Sequence, residues 1–338
     1  MKYLLEIHHG IGDIVQYTGL IKSVRAYDPT AYIALALNKE TYKSLFKLDT
    51  NVNKIHIVDF RASKLALLKS IQAIRKEHYD YMICSLHSRQ QSMEFMAIAF
   101  GAKRVAGPKL SRLSKINSKY VNVQVDCWDH VVKQNNDVLL GLNPTFTFFE
   151  PYLVCPEAPY KLPKSCIGLC IGTSIPQKTW PLEKYISVGE AFEKKGYSIV
   201  LLGGAKEKER YEELGYQKAS WINLLGKTNL IESASECMQC KLIIGGDTGL
   251  MHIAAAVGTA TLTLFSCSEP TTHAPYSNQS YYYFAPLPCQ FCYGTDQMKT
   301  CKNNRCLTDI DENLIIDIAI GILSGSKEVG KYKLCLRN

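Results

Sequence analysis

The sequence predicts two similar α/β halves, each a doubly wound parallel sheet, and three observations carry that prediction. First, 338 residues are more than one core usually organises, and chains of this length commonly divide into about two domains. Second, short apolar runs alternate with stretches of helical periodicity in both halves, the pattern of repeated strand–helix–strand units. Third, residues 144–165 carry Pro144, Pro151, Pro156, Pro159 and Pro163 among aromatic side chains, which reads as a linker between the halves.

In the first half, Tyr3–Ile7 is read as a strand, followed by a loop at His8–Asp13 and a helix over Ile14–Ala26. Ile14, Tyr17, Ile21 and Val24 share one face of that helix. Further strands fit Ala31–Leu37, Lys54–Val58 and Tyr81–Ser85, with helices at Glu40–Leu48, Lys64–Lys76, Gln91–Phe100 and Trp128–Leu140. Gly141 and the Asn143-Pro144 pair close the last helix. The second half restarts the pattern with a strand at Ile167–Ile171 and a polar loop. Pro181 then opens a helix with Leu182, Tyr185, Ile186 and Phe192 on its apolar face. Proline suits a first helical turn because its missing amide would be unpaired there anyway. Gly196 ends this helix, Tyr197–Leu202 is a strand running into Gly203-Gly204, and Trp221–Leu225 is another. A helix at Asn229–Cys240 is capped by Thr228. Leu242–Ile244 forms a buried strand before a glycine hinge and a short apolar helix bearing His252. Thr259–Phe265 is one more strand, and Glu312–Leu323 is the last helix. In such folds ligands sit at the carboxyl ends of strands, often between domains.

The composition is that of a globular chain, 46% hydrophobic and 21% charged, with no low-complexity tract. No apolar stretch approaches the roughly 18 residues of a membrane span. The start, MKYLLEIHHGIGD, is not read as an export signal, since its short apolar run is broken by Glu6, His8 and His9. Thirteen cysteines without such a signal point to reduced thiols in the cytoplasm rather than a disulfide framework. A net charge of +8 arises from 39 basic and 31 acidic residues, and Lys103, Arg104, Lys109, Arg112, Lys115 and Lys119 crowd one stretch. Such a run is either a solvated surface or an attraction to anions: nucleotide phosphates, an acidic glycan or a membrane surface. No nucleic-acid-binding signature accompanies the charge, so nucleic acid is not an expected partner.

Three loops at strand ends carry the chemistry. His8-His9-Gly10-Ile11-Gly12-Asp13 lacks the third glycine of a dinucleotide fingerprint. It offers Asp13 at a helix N-terminus, which stabilises a carboxylate by about 0.3–1 kcal/mol; Asp13 reads as a cap or as a general base. Gly172–Pro181 supplies Thr173, Ser174 and Lys178 just past a strand. Two hydroxyls and a point charge suit a diphosphate, although any one such loop is as often plain polar surface. In Gly245–Ala256, glycines admit a close backbone approach, and the helix start at Asp247, Thr248 and Gly249 presents outward amides to an anion. There the alternatives are a capping Asp247 with His252 as an interior histidine, or a phosphate cradle. Gly203–Glu209 repeats the strand–glycine–helix pattern; a carboxylate there reads either as a hydrogen-bond partner for a ribose or as part of a solvent-facing charged helix start.

Four stretches, GIGDIVQYTGLIKSVRAYDP, GTSIPQKTWPLEKY, LLGGAKEKE and GGDTGLMHIAAAVGT, together resemble glycosyltransferase family 9, the heptosyltransferase family, with its GT-B-type fold of two Rossmann-like domains facing a cleft. The resemblance implies an acceptor-side domain over 1–150, a nucleotide-sugar-binding domain over 151–325 and a basic tail over 326–338. It further implies an inverting enzyme, with no cofactor for catalysis, that moves heptose or another hexose-type sugar from a nucleotide-diphosphate donor, ADP-linked, to a hydroxyl. The implied acceptor is an anionic cell-envelope glycan or glycolipid, such as lipopolysaccharide. The implied location is the cytoplasm, at the cytoplasmic face of the membrane. On this resemblance Asp13 matches the base and Lys178 the phosphate-binding lysine, with Thr173 and Ser174 as the hydroxyl pair. Asp247, Thr248, Gly249 and His252 match the donor signature. Glu207 matches a nucleoside-binding acid, and Arg61 lies where relatives hold an anionic acceptor. After the signature, relatives continue with a proline and a G-P-T-like turn. This chain instead reads Thr259-Ala260-Thr261 and then Ser266-Cys267-Ser268-Glu269-Pro270, which leaves the donor sugar open.

Cys289, Cys292, Cys301 and Cys306 follow a C-x2-C pattern with a looser second pair. They read either as a structural zinc or iron site or as reduced thiols in a packed loop. The nearby Lys299, Lys302 and Arg305 are expected to lower their pKa values. Two functional alternatives stay open: a nucleotide-sugar epimerase on the same fold, turning over donor without acceptor, and a catalytically idle sugar- or nucleotide-binding scaffold.

Overall fold

The computed structural model describes residues 1–7, 9–85, 90–109, 121, 123–125, 129–216 and 218–333. The chain divides into two compact units, Met1–Val154 and Cys155–Asn338. His8, Arg112, Lys115, Lys119 and Trp128, singled out above, lie outside the described residues.

Unit 1 is built on β1 (Lys2–Ile7), β2 (Tyr32–Leu37), β3 (Lys54–Ile57), β4 (Tyr81–Cys84), β5 (Arg104–Pro108) and β6 (Val123–Val125), in the order β3-β2-β1-β4-β5-β6. Every neighbouring pair is parallel. The central strands are near-continuous apolar runs because helices cover both faces of a parallel sheet; in β1 all but the first residue are buried. Leu4, Ala34, Met82, Met96 and Phe100 form part of this core. The helices are α1 (Ile11–Gln16), α2 (Gly19–Tyr27), α3 (Lys64–Arg75), α4 (Gln90–Phe100) and α5 (Val131–Leu142).

The single helix expected over Ile14–Ala26 is two helices, and packing explains the break. A side chain at Gly19 would lie 2.1 Å from the Phe149 carbonyl oxygen, so the segment entering unit 1's end crosses directly over this position. Thr18 receives that segment, its Oγ1 accepting the Tyr152 amide at 2.9 Å. Gly141 does not end α5, which runs on to Leu142. The turn at Glu40–Phe46 is 3₁₀ rather than α.

Unit 2 repeats the plan with β7 (Cys166–Cys170), β8 (Ser198–Leu202), β9 (Ile222–Asn223), β10 (Leu242–Gly246), β11 (Thr261–Phe265) and β12 (Ser280–Phe284), ordered β12-β11-β10-β7-β8-β9 and all parallel. Its helices are α6 (Leu182–Glu193), α7 (Ala205–Glu213), α8 (Leu230–Gln239), α9 (Gly249–Ala256), α10 (Pro270–His273), α11 (Asp296–Thr300), α12 (Arg305–Thr308) and α13 (Glu312–Ser324). α8 is capped by Asn229, whose carboxamide accepts from Ile231 and Glu232 amides, and not by Thr228. Tyr281 bridges Lys333 in an antiparallel contact, and Tyr283 meets Tyr332 edge to face. Residues 327–333 therefore lie along β12, the edge of the sheet.

Doubly wound sheets open a crevice where the strand order reverses. In unit 1 that point is between β1 and β4, and in unit 2 between β7 and β10.

Candidate functional site

The segments leaving β7 and β10 carry all the residues that the sequence assigns to the diphosphate, and unit 2's reversal point lies between these strands. Trp180 anchors the first loop. It is fully buried and stands edge to face against Tyr185 of α6 at 4.9 Å, so residues 172–179 are held from both ends. At Gly246 a side chain would meet the Lys178 carbonyl oxygen at 2.6 Å and the Thr173 methyl at 3.0 Å. Only glycine lets this loop lie on the end of β10.

The result is an ion pair. Lys178 Nζ lies 2.5 Å from Asp247 Oδ2, with the two side chains 13% and 9% exposed. Ser268 Oγ donates to the same carboxylate oxygen, and His252 Nε2 stands 3.9 Å from the other. Burial works against a charged Asp247, yet the His252 imidazole and the Lys178 ammonium more than reverse it and hold the carboxyl well below the usual range. His252 Nδ1 is buried and has no hydrogen-bond partner among the described residues. Such an orphan is rare in a finished core.

Of the two readings open for Asp247, the capping one does not hold. The N-cap of α9 is Thr248, and its side chain makes no capping hydrogen bond, while Asp247 is turned toward Lys178. The first amides of α9 are thus not closed off by their own cap. Thr173 is spent locally, donating to the Ile175 carbonyl at 2.6 Å and pairing with Thr179 Oγ1 at 2.9 Å. Ser174 is exposed. Glu207, half-buried, accepts the Gly204 amide at 2.8 Å, and its carboxyl group lies against Gly172. The loops after β7, β8 and β10 are therefore neighbours at one sheet edge.

Two residues of this cluster were not picked out from the sequence. Ser268 follows β11, a strand end like the others, but its loop was noted only as a departure from the family pattern. Tyr293 lies with its ring 4.6 Å from Lys178 Nζ, tied by its amide to the Cys267 carbonyl at 3.0 Å; no periodicity marks it.

In unit 1, Asp13 sits in the first turn of α1 and its Oδ2 accepts the Gly10 amide at 3.0 Å. That bond fixes the carboxylate at the carboxyl end of β1, beside the reversal point of that sheet. Arg61 follows β3, exposed, with its amide bonded to Asp59 Oδ1 at 2.8 Å. Lys103 pairs with Asp80 at 2.7 Å, so part of the basic run is neutralised locally.

The cysteines differ from expectation. Burial, reinforced by the neighbouring thiols of Cys267, Cys301, Cys289 and Cys292, pushes Cys306 up to about 11. Burial raises Cys292 as well. The basic neighbours do not lower these values, because Lys299 pairs with Asp296 at 2.8 Å and Arg305 with Asp309 at 2.8 Å. Among the described residues, no group of three or more His, Cys, Asp or Glu side chains gathers to hold a metal. The four thiols as arranged do not form a closed tetrahedral site, which needs all four convergent and deprotonated.

The model of glycosyltransferase family 9 (heptosyltransferase) matches residues 67–302, well over half of the chain. Lipopolysaccharide heptosyltransferase 2 of Salmonella typhimurium is 32% identical over 137 residues; the aligned stretch spans 39% of this chain and 39% of that relative's length, well short of the whole. Among solved structures, the family 9 glycosyl transferase from Veillonella parvula has a TM-score of 0.80 at 21% identity, covering 96% of this chain and 98% of that one. The Escherichia coli ADP-heptose lps heptosyltransferase II has a TM-score of 0.76 at 20% identity, covering 97% and 100%. At these identities the likeness speaks for the fold alone. On the matched family model, this chain belongs to glycosyltransferase family 9, the heptosyltransferase family.

Proposed function

We propose that the protein is an inverting glycosyltransferase moving a sugar, heptose or a similar one, from an ADP-linked donor to a hydroxyl of a cell-envelope glycan or glycolipid. The observation that carries this reading is the Lys178–Asp247 ion pair at the reversal point of unit 2, beside the His252 Nδ1 that has no partner among the described residues. The ADP-heptose named for the Escherichia coli relative supports the donor class.

Transfer breaks the bond between the anomeric carbon and the diphosphate, so negative charge grows on the leaving phosphate as the acceptor oxygen attacks. Lys178 answers that charge. Its ammonium carries three donors; Asp247 takes one and fixes its direction, leaving the others for the phosphate. The amides opening α9 at Thr248 and Gly249 add an anion cradle at a positive helix end. Ser174, exposed at the loop's crest, is the hydroxyl suited to the diphosphate, while Thr173 shapes the loop. Glu207 binds the nucleoside through its ribose. Preorganised donors of this kind need no reorganisation as charge develops.

Asp13 is the base that removes the acceptor proton, with its carboxylate oriented by the Gly10 amide, and Arg61 pairs with an anionic group of the acceptor. We further propose that residues 1–150 serve the acceptor and 151–325 the donor, and that the protein works in the cytoplasm at the membrane face. A structural zinc or iron at Cys289, Cys292, Cys301 and Cys306 rests on the C-x2-C spacing alone, and the metal content of protein purified without chelator tests it.

The test of the central reading is Asp13→Ala in the full chain, assayed for ADP binding and for transfer from ADP-heptose to a heptose-deficient lipopolysaccharide core. ADP affinity should stay unchanged while transfer falls by about 10²–10⁴-fold, the usual range for a general base. Undiminished transfer would remove Asp13 from that role. ADP-heptose consumed without any acceptor would point to an epimerase instead.

A further inference from the structure

We propose that the outer face of α3 and α4 is the surface by which the protein lies on an anionic lipid membrane. α3 carries two apolar stripes where its fold needs one. The inner stripe, Leu67, Ile71 and Ile74, packs on the core of unit 1. The outer one, Leu65 and Leu68, is 64% and 50% exposed. Phe95 and Ile98 of α4 are 46% and 49% exposed, and Phe60, just before α3, 40%.

These side chains stand on adjoining elements, since α3 packs beside α4. The Phe60 and Phe95 rings meet at 6.3 Å, and Arg75 near the end of α3 donates to the Ile98 and Ala99 carbonyls at 3.2 Å each. A contiguous exposed apolar patch of this kind marks a binding surface.

Charge selects the occupant. From Phe60 to Lys76 the sequence holds Arg61, Lys64, Lys69, Arg75 and Lys76 and no acidic residue. Glu77, which follows, is taken by Lys2 and Lys54. Leucine and phenylalanine flanked by lysine and arginine suit the boundary between acyl chains and anionic headgroups. A second copy of the same face fits poorly, because a two-fold contact would bring the same cations together. Among the described residues no helix is long and apolar enough to cross a membrane, so the contact is one of lying on the surface. The proposal deepens the glycolipid-acceptor reading and rests on it only for why a membrane is the partner.

The experiment is cosedimentation of the full chain with vesicles of phosphatidylcholine, with and without phosphatidylglycerol, read beside the thermal shift induced by ADP. Wild type should bind the phosphatidylglycerol vesicles, and less so in high salt. Leu65→Ser with Leu68→Ser should reduce that binding at least about tenfold, the scale of removing two buried apolar side chains, and leave the ADP shift unchanged. Lys64→Glu with Lys69→Glu should weaken binding in the same direction. Equal binding by wild type and the leucine variant overturns the surface, as does a wild type that responds to ADP but ignores vesicles. A concentration-dependent dimer lost in the leucine variant, without vesicle binding, would give the face to a second copy. Vesicle binding with no response to ADP would leave the surface standing and overturn the donor reading.

Discussion

Asp247 holds its charge in a place where burial opposes it; His252 and Lys178 make that possible, and Ser268 donates to the same carboxylate. Ser268 holds the direction of the carboxylate through this bond. Ser268→Ala should therefore leave the fold intact and weaken ADP binding by about 1 kcal/mol, the net worth of one hydrogen bond. Ser268→Thr should restore it, and calorimetric titration of the three proteins with ADP measures both changes; equal affinities would make Ser268 a bystander. A second buried titratable group acts on stability alone. His56 Nε2 lies 2.8 Å from the Tyr79 hydroxyl, and burial lowers the imidazole from 6.5 to about 4. The unfolded chain thus binds this proton more readily. Its contribution is complete above pH 6.5 and is lost as pH falls from there to about 4, a loss of roughly 2–3 kcal/mol. His56→Gln keeps a neutral hydrogen-bonding side chain and should flatten the fall in thermal midpoint between pH 6.5 and 4; parallel profiles for the two proteins would refute the assignment. At this scale Lys178 and Asp247 were legible, because hydroxyl, glycine and charge stand together in short motifs. Ser268 and Tyr293 were not, since each reaches the cluster from a loop whose path depends on the packing of β11 and the segment after it.

At the scale of elements, β10 ends on Gly246, where the backbone of the loop after β7 comes close. Adding one methyl there brings it against the Lys178 carbonyl and the Thr173 methyl. Gly246→Ala should cost about 1–3 kcal/mol from overpacking. It should also weaken ADP binding beyond that of an equally destabilised core variant such as Leu262→Ala, because it displaces the loop bearing Lys178. Paired thermal unfolding and ADP titration separate the two effects, and equal affinities in the two variants would count against the loop's role. The central strands were legible as continuous apolar runs. β5, β6 and β12 were not anticipated: β5 and β6 are short and carry Gly107, Pro108 and Gln124, whereas the aromatic run of β12 is strand-prone and was passed over. The strand read over Trp221–Leu225 shrinks to two residues at the edge. The split between α1 and α2 lay beyond the sequence because its cause, the Phe149 carbonyl over Gly19, is distant along the chain.

At the scale of the molecule, the two units share one plan: six parallel strands with a reversal between the first strand and the fourth. The alternation of strand and helix, with a proline-rich break between, was enough to anticipate this repetition. The units nevertheless have separate cores, and that makes the assignment of the donor to unit 2 testable. A ligand stabilises what holds it, by about 2.7 kcal/mol at 100 times its dissociation constant. If the nucleotide is held by the loops after β7, β8 and β10, that energy belongs to unit 2. Amide exchange followed by mass spectrometry on the full chain should then slow in β7, β8 and β10 when ADP is added, by up to about 100-fold where exchange requires opening of the whole unit. Exchange in β1, β2 and β4 should change little, and Asp247→Asn should abolish the difference. Equal protection in the strands of unit 1 would show that the nucleotide engages both units, and the division of labour proposed for residues 1–150 and 151–325 would have to be redrawn.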